Sequence, residues 1–350
     1  MNPPKKKSQF GKIALILLAI LVIASVVILP GVYKKYIKAN TNVSKKTYLY
    51  IPSKASYHDV LDSINKNHLL INETSFLSLA KDRKLETRFK SGKYPIEKGM
   101  NNRQILNMII AGNQEPITLS FRNIRLKENF AGIAAKKLEF DSLSLINLLD
   151  SASFIEKYGF TKDNMYTMFI PNSYEMYWNI SAEDFFIRMN KEYQKFWTKD
   201  RLAKAEKLNL TPQKVAILAS IVDGEALMDK EMPIIAGLYL NRLDKGIKLE
   251  ADPTVIFANN DFTIRRVLFK HLRKESPYNT YIHTGLPPGP IMMPSIKAID
   301  AVLNPENHNY IYMCAKEDFS GYHNFSSTLS EHVANAKKFQ AALNARNIKK

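Results

Sequence analysis

The pattern of apolar and polar positions divides this chain into one continuous apolar run, a series of short amphipathic segments, and one strongly apolar helix that ends on an acid. From Ile13 to Leu29 every position is apolar except Ser25, and no charge lies between Lys12 and Lys34. With its flanks this run reaches about the ~20 residues that cross a hydrocarbon core. Residues 39–46 read as a short polar linker. Thr47–Ile51 has strand character. Ser56 and Asp59 form a capping-box pattern ahead of a helix, and Asn72 is placed to cap a second one. Lys93–Ile96 predicts a strand, and Asn102 is placed to cap a helix carrying Ile105, Leu106, Ile109 and Ile110 that stops at Gly112.

Strand, two helices, strand is the order of a LysM-like module, an order that many small α/β units share. Beyond it, Ile117–Phe121 alternates like a strand, and Leu126–Leu138 and Ser142–Leu149 predict helices. Met168–Trp178 is an aromatic-rich patch around Pro171-Asn172, suited to stacking on sugar rings or to packing a core. Ser181 and Asp184 mark the start of a helix to about Thr198.

Thr211–Asp252 organises the remainder. Thr211 is an N-cap candidate and Pro212 occupies the first helical position, where its missing N–H costs nothing. Val215, Leu218 and Val222 follow one face, and the next step on that face is Glu225. A carboxyl group at an apolar position has its pKa raised by desolvation, which suits a general acid. The alternatives are a helix end or an ion pair with a residue such as Arg242. Asp223 points to nearly the opposite side, and Gly224 signals a helix break or a close approach of backbone or ligand. A second helix begins near Asp229–Pro233 and ends at Gly246, with Arg242 on the face of Leu238 and Tyr239. Ile247–Ile256 predicts an extended segment with a turn at Asp252-Pro253, and Ser276–Ile291 a stiff, proline-bearing loop. A helix ends at Leu303, a strand is expected at Tyr310–Ala315, His323-Asn324-Phe325 follows a Gly-Tyr turn, and Glu331–Asn344 predicts a terminal helix.

Charge and composition refine this picture. The net charge is +17, but nine lysines and no acid fall in residues 1–46, which leaves +8 for the rest. Much of the basic character therefore flanks the apolar run, where it can meet anionic headgroups. Lys5, Lys6, Lys7 and Lys12 precede the run, and no small-x-small cleavage site follows it. We read an uncleaved anchor with its N-terminus inside, although Lys34, Lys35 and Lys38 on the far side weaken the charge asymmetry. Cys314 is the single cysteine, so no intrachain disulfide is expected. No zinc-finger spacing or RNA-binding motif points to nucleic acid. The seven histidines form no metal-binding pattern, Ser220 lacks a nucleophile-elbow context, and no glycine loop cradles phosphate. No metal or cofactor is expected. Carboxylate chemistry on a glycosidic bond is the remaining enzymatic reading.

Six motifs carry a resemblance. They are Ala219-Ser-Ile-Val-x-x-Glu225, Tyr239-Leu-Asn-Arg-Leu243, Leu249-x-x-Asp-Pro-Thr-Val-Ile256, Tyr278-Asn-Thr-Tyr281, Gly285-Leu-Pro-Pro-Gly-Pro-Ile291 and His323-x-Phe325. In this order and spacing, over roughly residues 205–345, the chain resembles the MltG (YceG-like) endolytic peptidoglycan transglycosylases. The resemblance implies an α+β protein with an N-terminal transmembrane helix, a LysM-like module and a C-terminal mixed α/β catalytic domain. The expected boundaries are a cytoplasmic tail at 1–12, an anchor at 13–33, the LysM-like module at 47–115, a connecting subdomain at 116–204 and the catalytic domain at 205–350. Such an enzyme is a single-pass protein of the inner (plasma) membrane with its catalytic domain outside the cytoplasm.

The family cuts the MurNAc–GlcNAc β-1,4 bond of nascent glycan strands and leaves a 1,6-anhydroMurNAc end. That implies a role in cell-wall assembly as a terminator of glycan elongation, with peptidoglycan synthases as candidate partners. The family's catalytic Glu matches Glu225. Its further Glu two residues earlier is replaced here by Asp223, which leaves an auxiliary role for that acid in doubt. One residue serves as acid and then base, so no paired nucleophilic carboxylate is required. Asp252 is a candidate to stabilise positive charge on the sugar ring, or only caps its turn. Asn241, Arg242, Thr254, Tyr278, Asn279, Tyr281 and His323 are candidates for sugar contacts or for support of Glu225. The rival readings are a hydrolytic muramidase and a non-enzymatic, membrane-anchored peptidoglycan-binding scaffold.

Overall fold

The computed structural model describes residues 9–346. The expected cytoplasmic tail, residues 1–12, lies mostly outside the described residues. The chain divides into two compact units, Met1–Ile117 with Glu175–Asn179, and Thr118–Tyr174 with Ile180–Lys350.

The first unit opens on helix α1 (Gln9–Tyr36). Its segment Lys12–Tyr36 is 25 residues long, and no part of its apolar window is covered by protein. At 1.5 Å per residue it exceeds the ~30 Å hydrocarbon thickness, so it fits a single-pass anchor. Strand β1 (Thr47–Ile51) follows, then α2 (Tyr57–Lys66), α3 (Glu73–Asp82), the short α4 (Leu85–Arg88), β2 (Gly92–Ile96) and α5 (Asn102–Ala111). β1 and β2 pair antiparallel, from Thr47 opposite Ile96 to Ile51 opposite Gly92. Leu49, Ile51, Phe76, Leu79, Tyr94 and Leu106 form the centre of its core. The capping box at Ser56 and Asp59 is present, and Asn72 caps α3. Asn102, however, does not cap α5. Asn101 does, in a box with Gln104, while Asn102 is fully buried and accepts from Asn40 Nδ2 at 2.6 Å. Two adjacent asparagines each fit a cap pattern, and the tertiary partner decides between them.

The second unit begins with β3 (Ile117–Phe121), α6 (Lys127–Ala135), α7 (Ser142–Asp150) and α8 (Ala152–Ile155). Asn172–Met176 forms β4, which joins β3 in a two-stranded sheet. Within the aromatic patch, Met168, Phe169, Ile170 and Tyr174 are buried, and the Phe169 ring packs, tilted, 4.5 Å from that of Phe130. These members of the patch are core. Then come α9 (Ala182–Phe196), α10 (Lys199–Lys207), α11 (Pro212–Glu225), α12 (Met232–Asp244), α13 (Asp252–Asn259), α14 (Phe269–Leu272) and α15 (Ile296–Leu303). β5 (Tyr312–Ala315) and β6 (His323–Ser326) pair antiparallel, and α16 (Leu329–Ala345) packs on both.

α11 is the hub, packed against α12, α13 and α15. The segment expected to be extended through Ile256 instead turns into α13 at Asp252. Pro253 sits in the first turn, where a helix needs no N–H from it. The turn signal of Asp-Pro is thus a helix start.

Arg242 binds this region together. It is buried, and its Nε donates to Ile311 O at 2.6 Å. Its Nη1 donates to Lys248 O at 2.6 Å, Leu249 O at 3.1 Å and Glu250 Oε2 at 3.0 Å. It makes no pair with Glu225. Arg242→Met would strand these carbonyls. We expect a loss of about 2–4 kcal/mol in chemical denaturation of the detergent-solubilised protein; stability within about 0.5 kcal/mol of the parent, the usual surface range, would contradict this role.

Candidate active site

The site is built at the C-terminal end of α11. The helix starts where its signals place it, with Thr211 Oγ1 accepting from Lys214 N at 3.2 Å. Val215 through Val222 are buried without a break, so the helix is enclosed on all sides rather than along one stripe. Its polar residues are tied down. Ser220 donates to Ile217 O at 2.7 Å and accepts from Ile291 N at 3.1 Å. Asp223 accepts from Ser295 N and Oγ at 2.8 and 2.9 Å, and Ser295 is the residue that caps α15. Asp223 therefore clamps two helices together.

Gly224 resolves its alternatives in favour of close approach, since α11 continues through it. A Cβ there would sit 2.9 Å from Pro253 Cβ and 3.1 Å from Pro253 Cγ. The bare glycine lets the first turn of α13 lie against the last turn of α11. That contact delivers Asp252 to Glu225.

Two donors reach the Glu225 carboxylate. Tyr239 Oη, from α12, donates to Oε1 at 3.1 Å, and the Asp252 backbone N–H donates as well. Burial and, next, the Asp252 charge push the Glu225 pKa up to about 8, against the smaller opposing effect of the two hydrogen bonds. Glu225 is therefore protonated at neutral pH. Tyr281 Oη donates to Asp252 Oδ1 at 2.7 Å. Burial and the neighbouring acids raise both phenols, Tyr239 beside Glu225 and Tyr281 beside Asp252, so each remains a donor.

Glu225, Asp252, Tyr239 and Tyr281 line a cavity of about 500 Å³ that Arg242, His323 and His332 also line. His323 stands at the start of β6, with its Nδ1 2.9 Å from Glu231 Oε2 and its backbone N–H on Glu231 Oε1 at 2.8 Å. His332 stacks on Tyr312, and burial, with Arg242 nearby, lowers its pKa.

The other candidates shape the walls from behind. Asn241 Nδ2 donates to His308 O and Tyr310 O. Thr254 is fully buried, with Oγ1 bonded to Ala251 O and to Thr280 Oγ1. Asn279, also fully buried, donates to Leu272 O and Lys274 O and accepts from Tyr281 N. Tyr278 packs 4.8 Å from Phe257, and burial raises its pKa to about 12. None of these four lines the cavity. Tyr239 and Glu231 are additions that sequence reasoning missed. Tyr239 reads as an ordinary core aromatic, and Glu231 as one acid in a charged turn. Among the described residues, no group of three or more His, Cys, Asp or Glu is placed to hold a metal ion.

An α+β domain with one protonated, desolvated carboxyl group in a cleft wall defines an acid–base site of the carboxylate class. Residues 49–338 match the model of the YceG-like family, and the chain belongs to that family. It is 28% identical over 312 residues to an endolytic murein transglycosylase of Bacillus subtilis (strain 168), covering 84% of this chain and 85% of that protein. A protein of the same description from Streptococcus pneumoniae serotype 2 (strain D39 / NCTC 7466) is 29% identical over 111 residues, 31% of this chain and 20% of that one. The crystal structure of a yceG-like protein from Listeria monocytogenes superposes with a TM-score of 0.55 at 26% identity, covering 83% of this chain and 99% of that one.

Gly224→Ala tests the contact that assembles the site. Alanine gains about 1 kcal/mol of helix propensity. Its methyl must displace Pro253, and overpacking of this kind costs about 1–3 kcal/mol. We expect net destabilisation in denaturant titration together with a lowered Glu225 pKa, because Asp252 and the covering helix turn move away. An unshifted carboxyl titration, followed by 13C NMR of the labelled side chain, would show that the contact does not set the site.

Proposed function

We propose that this chain is an endolytic murein transglycosylase, cutting the MurNAc–GlcNAc β-1,4 bond and leaving a 1,6-anhydroMurNAc end. The observation that carries the reading is the carboxyl group of Glu225, held protonated up to about pH 8 in a cleft wall. As the glycosidic C–O bond breaks, Glu225 gives its proton to the bridging oxygen. The new carboxylate then takes the proton of the sugar's C6 hydroxyl while O6 bonds to the anomeric carbon. The proton lost in the first step returns in the second, and no water is consumed. Asp252 places negative charge beside the ring as positive charge develops there, and Tyr281 orients it. Tyr239 and the Asp252 N–H hold the Glu225 carboxylate in position between the two steps.

The antiparallel β1–β2 pair enclosing α2 to α4 supports a LysM-like, glycan-binding role for residues 47–115. The α1 anchor supports a single-pass location in the plasma membrane with the rest of the chain outside the cytoplasm, acting on nascent glycan beside the synthases.

Glu225→Gln should abolish product formation from uncrosslinked glycan strands, with wild type yielding anhydro ends by mass spectrometry. Reducing ends would identify a hydrolytic muramidase, and a wild type without turnover a binding scaffold. The pH profile carries a sign. The active acid is lost as pH rises through about 8. Removing the Asp252 charge by Asp252→Asn lowers the Glu225 pKa and moves the alkaline limb to lower pH. Tyr239→Phe removes a hydrogen bond that favours the charged form and moves it to higher pH. Limbs that stay in place in both variants would detach the profile from Glu225.

A further inference from the structure

The cavity that Glu225 lines also contains an arrangement that the chemistry assigned to Glu225 does not use. Glu231 ends the short 3-10 turn Asp229–Glu231 just before α12, and it is only 4% exposed. Both of its oxygens are spent on one residue, Oε1 on the His323 backbone N–H and Oε2 on His323 Nδ1. Among the described residues no lysine or arginine pairs with it. A buried carboxylate without such a partner is costly, so its two bonds to His323 are what hold it there. A carboxylate is an acceptor only, so Nδ1 carries the proton and donates. In the neutral imidazole the other ring nitrogen is then an acceptor, which is how a second partner sets the tautomer. His323 lines the cavity, and among the described residues its Nε2 has no protein partner.

We propose that Glu231 is a positioning residue that locks the tautomer and orientation of His323, and that His323 Nε2 accepts a hydrogen bond from the glycan, from a sugar hydroxyl or an acetamido N–H. The inference rests on the transglycosylase reading and extends it to a second part of the same cavity's lining. Glutamine at 231 retains one acceptor but presents an amide donor in place of the other. The ring must then lose a bond or change tautomer. The pair acts as a unit, so removing either member removes the same contact.

The test uses the full-length protein in detergent with uncrosslinked glycan strands. Glu231→Gln and His323→Ala should each lower kcat/KM by tenfold or more, chiefly through KM, and the double variant should be no worse than His323→Ala alone. Ring 15N NMR gives a second readout that needs no substitution in the pair. In the Glu225→Gln protein, which binds without turning over, the His323 Nδ1 should be protonated, and saturating glycan strands should shift the Nε2 resonance. The inference is overturned by folded Glu231→Gln protein within twofold of wild type, by single effects that multiply in the double variant, or by an Nε2 signal that glycan leaves unmoved. If the pair variants do not fold, the NMR measurement decides alone. A wild type that makes no anhydro product fails the transglycosylase reading itself, whereas an active wild type with an insensitive Glu231→Gln fails only this one.

Discussion

The contact between Gly224 and Pro253 is the constraint on which the site depends. The Pro253 ring lies against α11 this closely only because α11 carries no side chain at the crossing, since a Cβ on Gly224 would stand 2.9 Å from that ring. Because the approach is allowed, the first turn of α13 covers the last turn of α11. Three consequences follow from that one packing event. Glu225 loses water, Asp252 is brought near as a second negative charge, and the Asp252 backbone N–H is aimed at the Glu225 carboxylate. The first two raise the pKa and the third moderates the rise. A helix-interior glycine normally weakens a helix by about 1 kcal/mol. Here that cost is offset by the site it allows to assemble, and by the clamp one residue earlier, where Asp223 holds the cap of α15.

Around this contact lies a long stretch with little regular structure, from Lys245 to Met293, broken only by α13 and α14. Its peptide groups cannot satisfy one another in a ladder, and a buried unpaired peptide group is costly. Side chains take over that work. Arg242 gathers the carbonyls of Lys248 and Leu249, and Asn279 those of Leu272 and Lys274; in the irregular segment before β5, Arg242 also takes Ile311 O and Asn241 takes His308 O and Tyr310 O. Thr254 and Thr280 join hydroxyls across the same region. Polar residues that look like substrate contacts in a list of motifs are, in large part, the framework of an irregular wall. The groups on its cavity side, Asp252 and Tyr281, owe their positions to that framework.

This division explains how much was legible in the sequence. Local signals read well: Thr211-Pro212 at the start of α11, the box at Ser56, and the apolar run of α1. Glu225 was legible because a carboxyl group interrupted a helical apolar face. Tyr239 was not, since its hydroxyl meets Glu225 through helix packing and nothing near Tyr239 in the chain signals it. Asp252-Pro253 misled because aspartate and proline favour turns and helix starts alike. Asn101 and Asn102 show the same limit, with two equivalent caps and a buried partner, Asn40, choosing between them. Glu231 was least visible, because its meaning comes entirely from His323, distant in sequence.

A single carboxyl group that must be acid and then base faces conflicting demands. A high pKa keeps the proton available, but it also makes the conjugate carboxylate costly at the moment it forms. The surroundings of Glu225 address both. Burial and the Asp252 charge favour the protonated form in the resting site. In the proposed reaction the departing bond places positive charge on the sugar ring as Glu225 becomes a second carboxylate beside Asp252. The same Asp252 charge that held the proton on Glu225 then stabilises the state in which that proton has left. Tyr239 and the Asp252 N–H need no rearrangement to receive the new carboxylate, since both already point at it. Donors fixed in advance of the charge they will meet cost no reorganisation when it appears. The acid half and the base half of the reaction can therefore share one residue, because the negative charge that Glu225 gains in the first half is matched by the transient positive charge on the substrate.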